Sequence, residues 1–344
     1  MNFASDNWSG ATDAVMAAIT RHKDGFVPAY GADTLTKAIA ERFSEMFEKD
    51  VAVYFVGSGT AANAISMAAG ARPGGLIFCS ADAHLYNDEM GASEFFTGGM
   101  KLIPLPAHNG LIAPESLAAG LSRFPADSRT GVPAMLSLTQ ASELGTVYSV
   151  EQIGELAKMA RARGMAVHMD GARFANAVAA LGASPAEITW KAGVDILSFG
   201  GTKNGCWAAE AIVVFSPERF GDLEAIRQRA GHTASKARFI AAQFEGYFED
   251  GSWLATARHA NLMAGRLADG IRASKTARLG WAPQANEVFA VLPKAAIARL
   301  RAEGAMFYEW PAEGVAPGPE EDLVRLVTSF ATSEQEVERF LGHL

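Results

Sequence analysis

Two short apolar stretches near the middle of the chain constrain its fold more than any other feature. The first, residues 166–169, reads as a buried strand that ends at Asp170, and helical composition follows at residues 172–181. The second, residues 195–199, reads as another strand, and it is followed by two glycines, a threonine and Lys203. Ligands bind at the carboxyl ends of strands in open α/β sheets, so we expect Asp170 and Lys203 to share one pocket.

A lysine and a carboxylate in one pocket define a narrow range of chemistry. A lysine among small residues can lose its proton and act as an amine nucleophile. A carboxylate can keep a heteroaromatic ring nitrogen protonated, and pyridoxal 5'-phosphate (PLP) enzymes require both groups. Two ordinary alternatives remain open at this point. Lys203 could be a surface lysine on a glycine turn, and Asp170 could cap the helix that follows it.

The composition argues against several other classes of protein. The chain has 344 residues and a net charge of −8, which disfavours a nucleic-acid or anionic-membrane partner. Its two cysteines, Cys79 and Cys206, and its histidines lack metal-ligand spacing, so we expect no metal site and no disulfide. Neither a signal peptide nor an apolar run of the ~20 residues that a membrane helix needs is evident. We therefore expect a cytoplasmic protein.

Strand and helix patterns alternate along most of the chain, which is typical of a mostly parallel sheet with helices on both faces. Residues 210–215 follow Lys203 with hardly any helix between, so we expect that strand to run in the opposite direction. After residue 216 the chain is mostly helical and then α/β again. We predict a large domain over residues 1–250, with an N-terminal arm, and a small α/β domain over residues 251–344.

Further candidates lie after the other strand patterns. The sequence GSGT at 57–60 opens a helix, where free backbone N–H groups can bind phosphate, although it could be a plain turn. His84 follows a strand end and could stack on a planar cofactor, with Glu89 orienting it or acting itself. Arg173 could contact an anion in the pocket. A structural histidine and a solvated arginine are the alternative interpretations.

Six motifs resemble, in order and spacing, those of the PLP-dependent threonine aldolases of the beta-eliminating lyase superfamily. They are FASDN, YGAD, GSGTAAN, HLYNDEMGA, HMDGARFANA and SFGGTKNG. TQASELGTVY and TWKAGVD are most similar to the bacterial low-specificity L-threonine aldolases, a group that includes phenylserine aldolase-like enzymes. The resemblance covers nearly the whole chain. It implies the α/β fold of aspartate aminotransferase, fold type I, in which the large domain has a mostly parallel seven-stranded sheet.

The resemblance implies a role at the cofactor for each residue of the first group. Lys203 would carry PLP, Asp170 would pair with its pyridine nitrogen, and His84 would stack on its ring. Both Glu89 and His84 would be catalytic. The residues that hold the phosphate would be Ser58, Gly59 and Thr60, with Arg173 also near the cofactor.

The resemblance implies further contacts to the substrate and between subunits. Arg173 and Arg325 would bind the substrate carboxylate, with Ser5 of the N-terminal arm assisting. We expect Tyr30 of YGAD to contact the substrate too. Arg229 and Arg238 match basic positions that reach a neighbouring subunit's cofactor, which implies a homotetramer with sites at subunit boundaries.

One position departs from the pattern of the family. Many members have Thr-His-Asn where this chain has Thr139, Gln140 and Ala141, and the histidine contacts the substrate hydroxyl. Gln140 could hydrogen-bond there but could not act as a base near neutral pH. The base for the hydroxyl is therefore left open among His84, Glu89 and a bound water.

The activity that the resemblance implies is that of a PLP-dependent aldehyde-lyase. Its substrates would be L-threonine, L-allo-threonine and related β-hydroxy-α-amino acids, cleaved between Cα and Cβ to glycine and an aldehyde. Two alternatives keep the cofactor: β-elimination from serine- or cysteine-like substrates to pyruvate and ammonia, and an aldolase that prefers aryl substrates such as phenylserine.

Overall fold

Five parallel strands end along one edge of a seven-stranded sheet, and this edge positions the residues discussed below. The computed structural model describes residues 1–125, 129–311 and 314–344. The prolines of residues 125–133 predict a loop, and residues 126–128 of that loop lie outside the described residues. The strands are β1 (Ala52–Val56), β2 (Gly75–Ser80), β3 (Lys101–Leu105), β4 (Ala107–His108), β5 (Leu111–Ile112), β6 (Val132–Thr139), β7 (Ala166–Gly171), β8 (Ile196–Gly200), β9 (Glu210–Val214), β10 (Arg278–Leu279), β11 (Glu287–Pro293), β12 (Tyr308–Glu309) and β13 (Glu321–Val327).

The strand order of the large sheet is β1-β9-β8-β7-β6-β2-β3. Neighbouring strands in the run β8-β7-β6-β2-β3 are parallel, whereas β9 is antiparallel to both β8 and β1. The prediction that the strand after Lys203 runs in the opposite direction is therefore confirmed. The mostly parallel sheet follows from the strand–helix alternation, because parallel neighbours need a crossover connection.

Helices connect the strands and pack against the large sheet and the second, four-stranded sheet. They are α1 (Asp13–Arg21), α2 (Thr34–Met46), α3 (Gly59–Ala69), α4 (His84–Asn87), α5 (Ala92–Phe96), α6 (Pro114–Ser122), α7 (Val150–Ala162), α8 (Phe174–Leu181), α9 (Leu223–Arg229), α10 (Arg238–Phe248), α11 (Ser252–Ala273), α12 (Lys294–Ala302) and α13 (Glu334–Leu341). Asp33 caps α2 by accepting the N–H of Thr36 at 2.8 Å. Thr34 is the first residue of the helix.

Aromatic side chains pack β8 against the helices that cover it. The ring of Phe199 on β8 lies 5.1 Å from that of Phe43 on α2 and 6.0 Å from that of Phe244 on α10. All three side chains are fully buried. Such rings contribute large buried areas and specific edge-to-face contacts, so this cluster fixes the strand that leads to Lys203.

A second, four-stranded sheet has the order β10-β11-β13-β12 with antiparallel neighbours. Its core takes in Phe3 of the N-terminal arm, which packs edge-to-face on Phe340. The Phe3 N–H also donates to the carbonyl of Met306. Anchoring Phe3 on this sheet places the next residues of the arm, Ser5 and Asp6, beside the edge of the large sheet. The division at residues 250 and 251 stays a prediction.

Two kinds of feature are absent from the described ranges. No helix there combines the length and hydropathy needed to cross a membrane. No group of three or more histidine, cysteine or acidic side chains there is arranged to hold a metal ion.

Candidate active site

The end of β7 and the turn after β8 bring Asp170 and Lys203 to one cavity, as the sequence predicted. The chain after β8 turns sharply at Gly200 and Gly201 into a short 3-10 helix, Thr202–Asn204. A Cβ on Gly200 would lie 2.5 Å from the carbonyl oxygen of Ala172, and one on Gly201 would lie 2.6 Å from that of Ala209. Glycine is therefore needed at both positions for the turn that presents Lys203.

Hydrogen bonds fix the carboxylate of Asp170. Its Oδ2 accepts from Asn63 Nδ2 at 2.7 Å, and its Oδ1 accepts the N–H of Ala172 at 3.0 Å. The predicted capping contact and a position in the cavity therefore occur together. Asp170 is 3% exposed, so these two hydrogen bonds hold its carboxylate in one orientation.

His84, the first residue of α4, lines the same cavity and pairs with Glu89. The two residues share a hydrogen bond of 2.9 Å between His84 Nδ1 and Glu89 Oε1. Glu89 Oε1 also accepts from Asn63 Nδ2 at 2.9 Å. The hydrogen bond to Glu89 raises the pKa of His84, with a further contribution from the charge of Asp170. Glu89 thus orients the imidazole and favours its protonated form.

The N-terminus of α3 forms the opposite wall. Ser58 caps this helix through its Oγ, which accepts the N–H of Ala61 at 3.3 Å. A Cβ added at Gly57 or Gly59 would meet no atom within 4 Å, so the backbone there faces open space. We call this space the inner cavity: its volume is about 280 Å³, and its wall includes Ser58, Gly59, Thr60, His84, Asp170 and Lys203. A helix N-terminus with open backbone N–H groups is suited to phosphate.

A buried acid that the sequence analysis missed supports the lysine turn. Glu210, at the start of β9, accepts the N–H of Gly201 at 3.0 Å. Burial raises the pKa of Glu210 to about 7, although its hydrogen bonds and the charge of Lys203 act in the opposite direction. Only its place on the strand paired with β8 could have pointed to this role.

A larger space, which we call the outer cavity, adjoins the inner cavity and shares His84, Asp170 and Lys203 with it. Its volume is about 610 Å³. The residues that line it come from distant parts of the chain and include Ser5, Thr139, Glu143, Leu144, Arg173, Trp281, Trp310 and Arg325.

Arg173 already has a strong partner in the outer cavity. Its Nε donates to Asp6 Oδ2 at 2.7 Å and its Nη2 donates to Asp6 Oδ1 at 3.0 Å, both side chains being buried. Burial alone would raise the pKa of Asp6, but the charges of Arg173 and Lys203 and the hydrogen bonds outweigh it, so the pKa lies below its ordinary value. Glu287 lies 3.3 Å from Arg173 Nη2.

Arg325, on β13, has weaker protein contacts. Its guanidinium lies 4.5 Å from the ring centroid of Trp310, and its Nη1 is 3.9 Å from Glu287 Oε1. Its Nε is buried without a hydrogen-bond partner among the described residues. Stacking on an aromatic face leaves the edge of a guanidinium free for a planar anion, so Arg325 is the better placed of the two arginines to bind a carboxylate.

Gln140 does not reach the cavity, and the predicted substrate contact is wrong for this residue. It is fully buried, and its side chain is occupied by the backbone of Tyr148. Nε2 donates to the Tyr148 carbonyl at 2.9 Å, and Oε1 accepts the Tyr148 N–H at 3.0 Å. The side chain therefore closes the loop after β6 and directs its amide at the backbone rather than into the outer cavity.

Three other predicted residues lie outside the two cavities of this chain. Tyr30 and Arg229 are exposed. Arg238 donates to the carbonyls of Gly25 and Lys23 at 3.1 and 3.3 Å. Their expected contacts with a neighbouring subunit are not tested by the structure of one chain.

The fold and the arrangement of Lys203, Asp170 and the α3 N-terminus define the chain as an α/β protein with the architecture of PLP-dependent enzymes of fold type I. A comparison with family models matches residues 2–294 to the beta-eliminating lyases. The chain belongs to this family.

Curated relatives cover nearly the whole chain. It is 42% identical to the low specificity L-threonine aldolase of Pseudomonas aeruginosa over 91% of this chain and 90% of the relative. It is 38% identical to the enzyme of the same name from Pseudomonas sp., over 97% of this chain and 94% of the relative. Thus the resemblance read from the motifs is confirmed.

Solved structures agree on the fold. A threonine aldolase from Leishmania major superposes with a TM-score of 0.92, at 24% identity, over 99% of this chain and 97% of the other. A serine palmitoyltransferase from S. paucimobilis with bound PLP superposes with a TM-score of 0.70, at 16% identity, over 100% of this chain and 86% of the other. The predicted fold class is therefore confirmed.

Proposed function

We propose that the protein is a PLP-dependent aldehyde-lyase that cleaves L-threonine, L-allo-threonine and related β-hydroxy-α-amino acids to glycine and an aldehyde. The observation that carries the proposal is the meeting of Lys203, Asp170 and the α3 N-terminus in the inner cavity, beside an arginine-bearing outer cavity. The names of the curated relatives support the reaction, since both are low specificity L-threonine aldolases.

The inner cavity fits PLP in the chemistry of its donors. The amine of Lys203 suits the aldehyde carbon, the carboxylate of Asp170 suits the pyridine nitrogen, and the N–H groups at Gly59 and Thr60 suit the phosphate, with Ser58 adding a hydroxyl. His84 would contact the ring. When bound, PLP accepts the electron pair that the breaking Cα–Cβ bond leaves.

The residues of the chain would prepare that bond for cleavage. Arg325 binds the substrate carboxylate, with Ser5 assisting, and Arg173 adds positive charge while its pair with Asp6 holds it in place. Fixing the carboxylate fixes which bond of Cα is oriented for cleavage, and orientation of this kind supplies up to about 7–11 kcal/mol in well-aligned systems. Asp170 keeps the pyridine nitrogen protonated, and Glu89 holds the imidazole of His84 in position.

We also propose the finer features that the resemblance implied: a large domain over residues 1–250, a small one over residues 251–344, a cytoplasmic location and a homotetramer with sites at subunit boundaries. Exposed aromatic side chains support the assembly. Trp207, which lines the inner cavity, is 69% exposed, and Trp8, Phe26 and Tyr30 are exposed as well. Exposed apolar surface of this kind is typical of interfaces. Tyr30, Arg229 and Arg238 would then act across the interface.

Two alternatives remain worth testing with the same cofactor. The family model's description, beta-eliminating lyase, favours β-elimination as a second activity. Trp281 and Trp310 on the wall of the outer cavity favour an aryl side chain, because aromatic walls stabilise aromatic ligands.

Product analysis separates these activities. The PLP-loaded protein is incubated with L-threonine, L-allo-threonine and phenylserine, and both products of each reaction are quantified. We expect glycine and acetaldehyde in equal amounts from both threonine isomers. Formation of 2-oxobutanoate and ammonia would replace the proposal with β-elimination, and cleavage confined to phenylserine would establish the aryl preference.

A further inference from the structure

The loop after β6 carries an acid, Glu143, that lines the outer cavity. It lies three residues after Gln140, which occupies the position of the family's histidine. Gln140 turns inward to the backbone of Tyr148 and closes the loop at both ends. Within it, Ser142 and Thr146 share a hydrogen bond of 2.6 Å between their hydroxyl oxygens. Glu143 lies on this braced loop and lines the outer cavity together with Lys203.

The two carboxyl oxygens of Glu143 have different surroundings. Oε1 accepts the backbone N–H of His84 at 2.7 Å and the hydroxyl of Thr139 at 3.2 Å. Oε2 is shielded from solvent and has no hydrogen-bond partner among the described residues. A buried carboxyl oxygen without a partner is costly unless it carries or receives a proton. Oε1 thus holds the carboxyl group in place, while no hydrogen bond from the described residues occupies Oε2.

The groups around Glu143 raise its proton affinity. Burial, and then the charge of Asp170, raise its pKa to about 7, while its hydrogen bond from the His84 backbone and one from its own backbone N–H act in the opposite direction. The neighbouring titratable groups are Asp170, Glu287, Arg173, His84, Cys79 and Tyr148. Lys203 and Arg325 add positive charge elsewhere on the cavity wall. A base is most effective when its pKa lies near the working pH, and Glu143 meets that condition.

The other candidates for the base are less suited to the role. The Nδ1 of His84 is committed to Glu89, and this contact raises the imidazole pKa and favours the protonated form. Glu89 Oε1 takes hydrogen bonds from both His84 and Asn63. Glu89 therefore positions the imidazole of His84 and the amide of Asn63, which in turn donates to Asp170. Glu89 Oε2, like Glu143 Oε2, is buried without a hydrogen-bond partner among the described residues, but Glu89 lines the inner cavity, whereas Glu143 lines the outer cavity together with Arg325.

We propose that Oε2 of Glu143 accepts the proton of the substrate β-hydroxyl. This inference rests on the proposed function. The O–H bond breaks, its electron pair forms the C=O bond of the leaving aldehyde, and the Cα–Cβ bond breaks at the same time. The pair from that bond stays with the Cα fragment, which becomes glycine on taking up a proton, and the proton on Glu143 returns to the cavity. Glu143 is then a catalytic residue of this chain, supplied by the loop that Gln140 closes.

The test compares two reactions of the PLP-loaded protein. Cleavage of L-threonine requires removal of the hydroxyl proton, whereas exchange of the glycine α-proton in D₂O requires the cofactor and Lys203 but no hydroxyl base. Glu143→Gln keeps an oxygen that can accept from His84 and Thr139 and removes the base. We expect cleavage to fall by about 10²-fold or more in this variant while glycine exchange stays within about threefold of the parent. Glu155→Gln, on the exposed face of α7, is the matched control and should leave both rates unchanged.

Three results would overturn the proposal. Cleavage and exchange that fall together would make Glu143 a support for His84, and cleavage that is unchanged would remove its role. A parent protein that exchanges glycine but releases no aldehyde from any β-hydroxy amino acid would refute the proposed function itself. The failure of Glu143 as the base and the failure of the proposed function therefore give different results.

A measurement independent of turnover follows the carboxyl group directly. In protein labelled with carboxyl-¹³C glutamate, the resonance lost in Glu143→Gln identifies Glu143, and its chemical shift is followed with pH. We expect it to titrate near pH 7 and to be ionised where cleavage is fastest, so the parent's cleavage rate rises with pH through that value. A carboxyl that stays protonated at every pH of active cleavage could not accept the proton, and the proposal would be abandoned.

Discussion

The inner and outer cavities share a wall, but the chain builds them in different ways. Lys203, Asp170 and the Ser58–Thr60 turn of the inner cavity each sit at a strand end or a helix N-terminus of one sheet. The outer cavity draws its residues from the N-terminal arm, the loop after β6, the start of α8 and the second sheet. Local sequence therefore determines the first, and the packing of distant segments determines the second.

The two cavities also differ in how their charges are compensated. Asp170 is held by an amide side chain and a backbone N–H. Arg173, in contrast, depends on acids from the arm and from β11, since it pairs with Asp6 and lies beside Glu287. Breaking a buried ion pair costs much more stability than loss of an exposed one. Substitutions in the inner cavity should therefore change the reaction rate. In the outer cavity, substitution of Arg173 should lower stability, whereas substitution of Arg325 should weaken substrate binding.

The largest effect is expected at Lys203. Lys203→Ala removes the amine that holds the cofactor, so threonine cleavage should fall by about 10³-fold or more, as for other essential nucleophiles. Steady-state release of acetaldehyde measures the loss. Lys158→Ala, on the exposed surface of α7, controls for the loss of a positive charge. Equal turnover in Lys203→Ala and the parent would remove the inner cavity from the account.

The next effect is a loss of stability at Arg173, the arginine that is buried in an ion pair. Arg173→Gln leaves Asp6 buried without its ion-pair partner and Glu287 with only the more distant Arg325, so we expect a loss of about 3–5 kcal/mol in the free energy of unfolding. Urea unfolding followed by circular dichroism measures it. The matched control is Arg42→Gln, which breaks an exposed pair with Glu45 and should change stability by less than about 1 kcal/mol. If the two variants were equally stable, the outer cavity would not depend on this pair.

The smaller effect belongs to the arginine that stacks on Trp310. Arg325→Gln removes a charged partner for the substrate carboxylate, so we expect KM for L-threonine to rise by about 10- to 100-fold. Binding of PLP should change little, because Arg325 does not line the inner cavity. Arg301→Gln, which breaks an exposed pair with Glu309, is the control. An unchanged KM, or a parallel loss of PLP binding, would contradict the separation of the two cavities.

The sequence predicted the inner cavity well because its residues follow recognisable strand patterns. Asp170 comes directly after one apolar run and Lys203 comes four residues after the end of another. Neighbouring parallel strands must end at the same edge, so the meeting of the two residues follows from local pattern and topology. The phosphate turn at residues 57–60 is likewise local, since glycines between a strand and a helix leave backbone N–H groups open.

The outer cavity could not be predicted to the same extent. The motif gave the position of Gln140 but not the direction of its side chain, which is set by the Tyr148 backbone eight residues later. No local pattern distinguishes Glu143 from other acids in loops, and its burial depends on how the loop after β6 packs over His84. The pairing of Arg173 with Asp6 joins residues 167 positions apart. Such contacts depend on tertiary packing, which has no period in the sequence.

The central claim is that the inner cavity holds PLP at Lys203, next to the cavity for the amino acid. The most direct measurement is reduction of the PLP-loaded protein with borohydride, digestion, and mass spectrometry of the peptides. The account predicts the added mass of the reduced cofactor on the peptide that contains Lys203 and on no other lysine. Attachment at another lysine, or a protein that retains no cofactor after reduction, would contradict it.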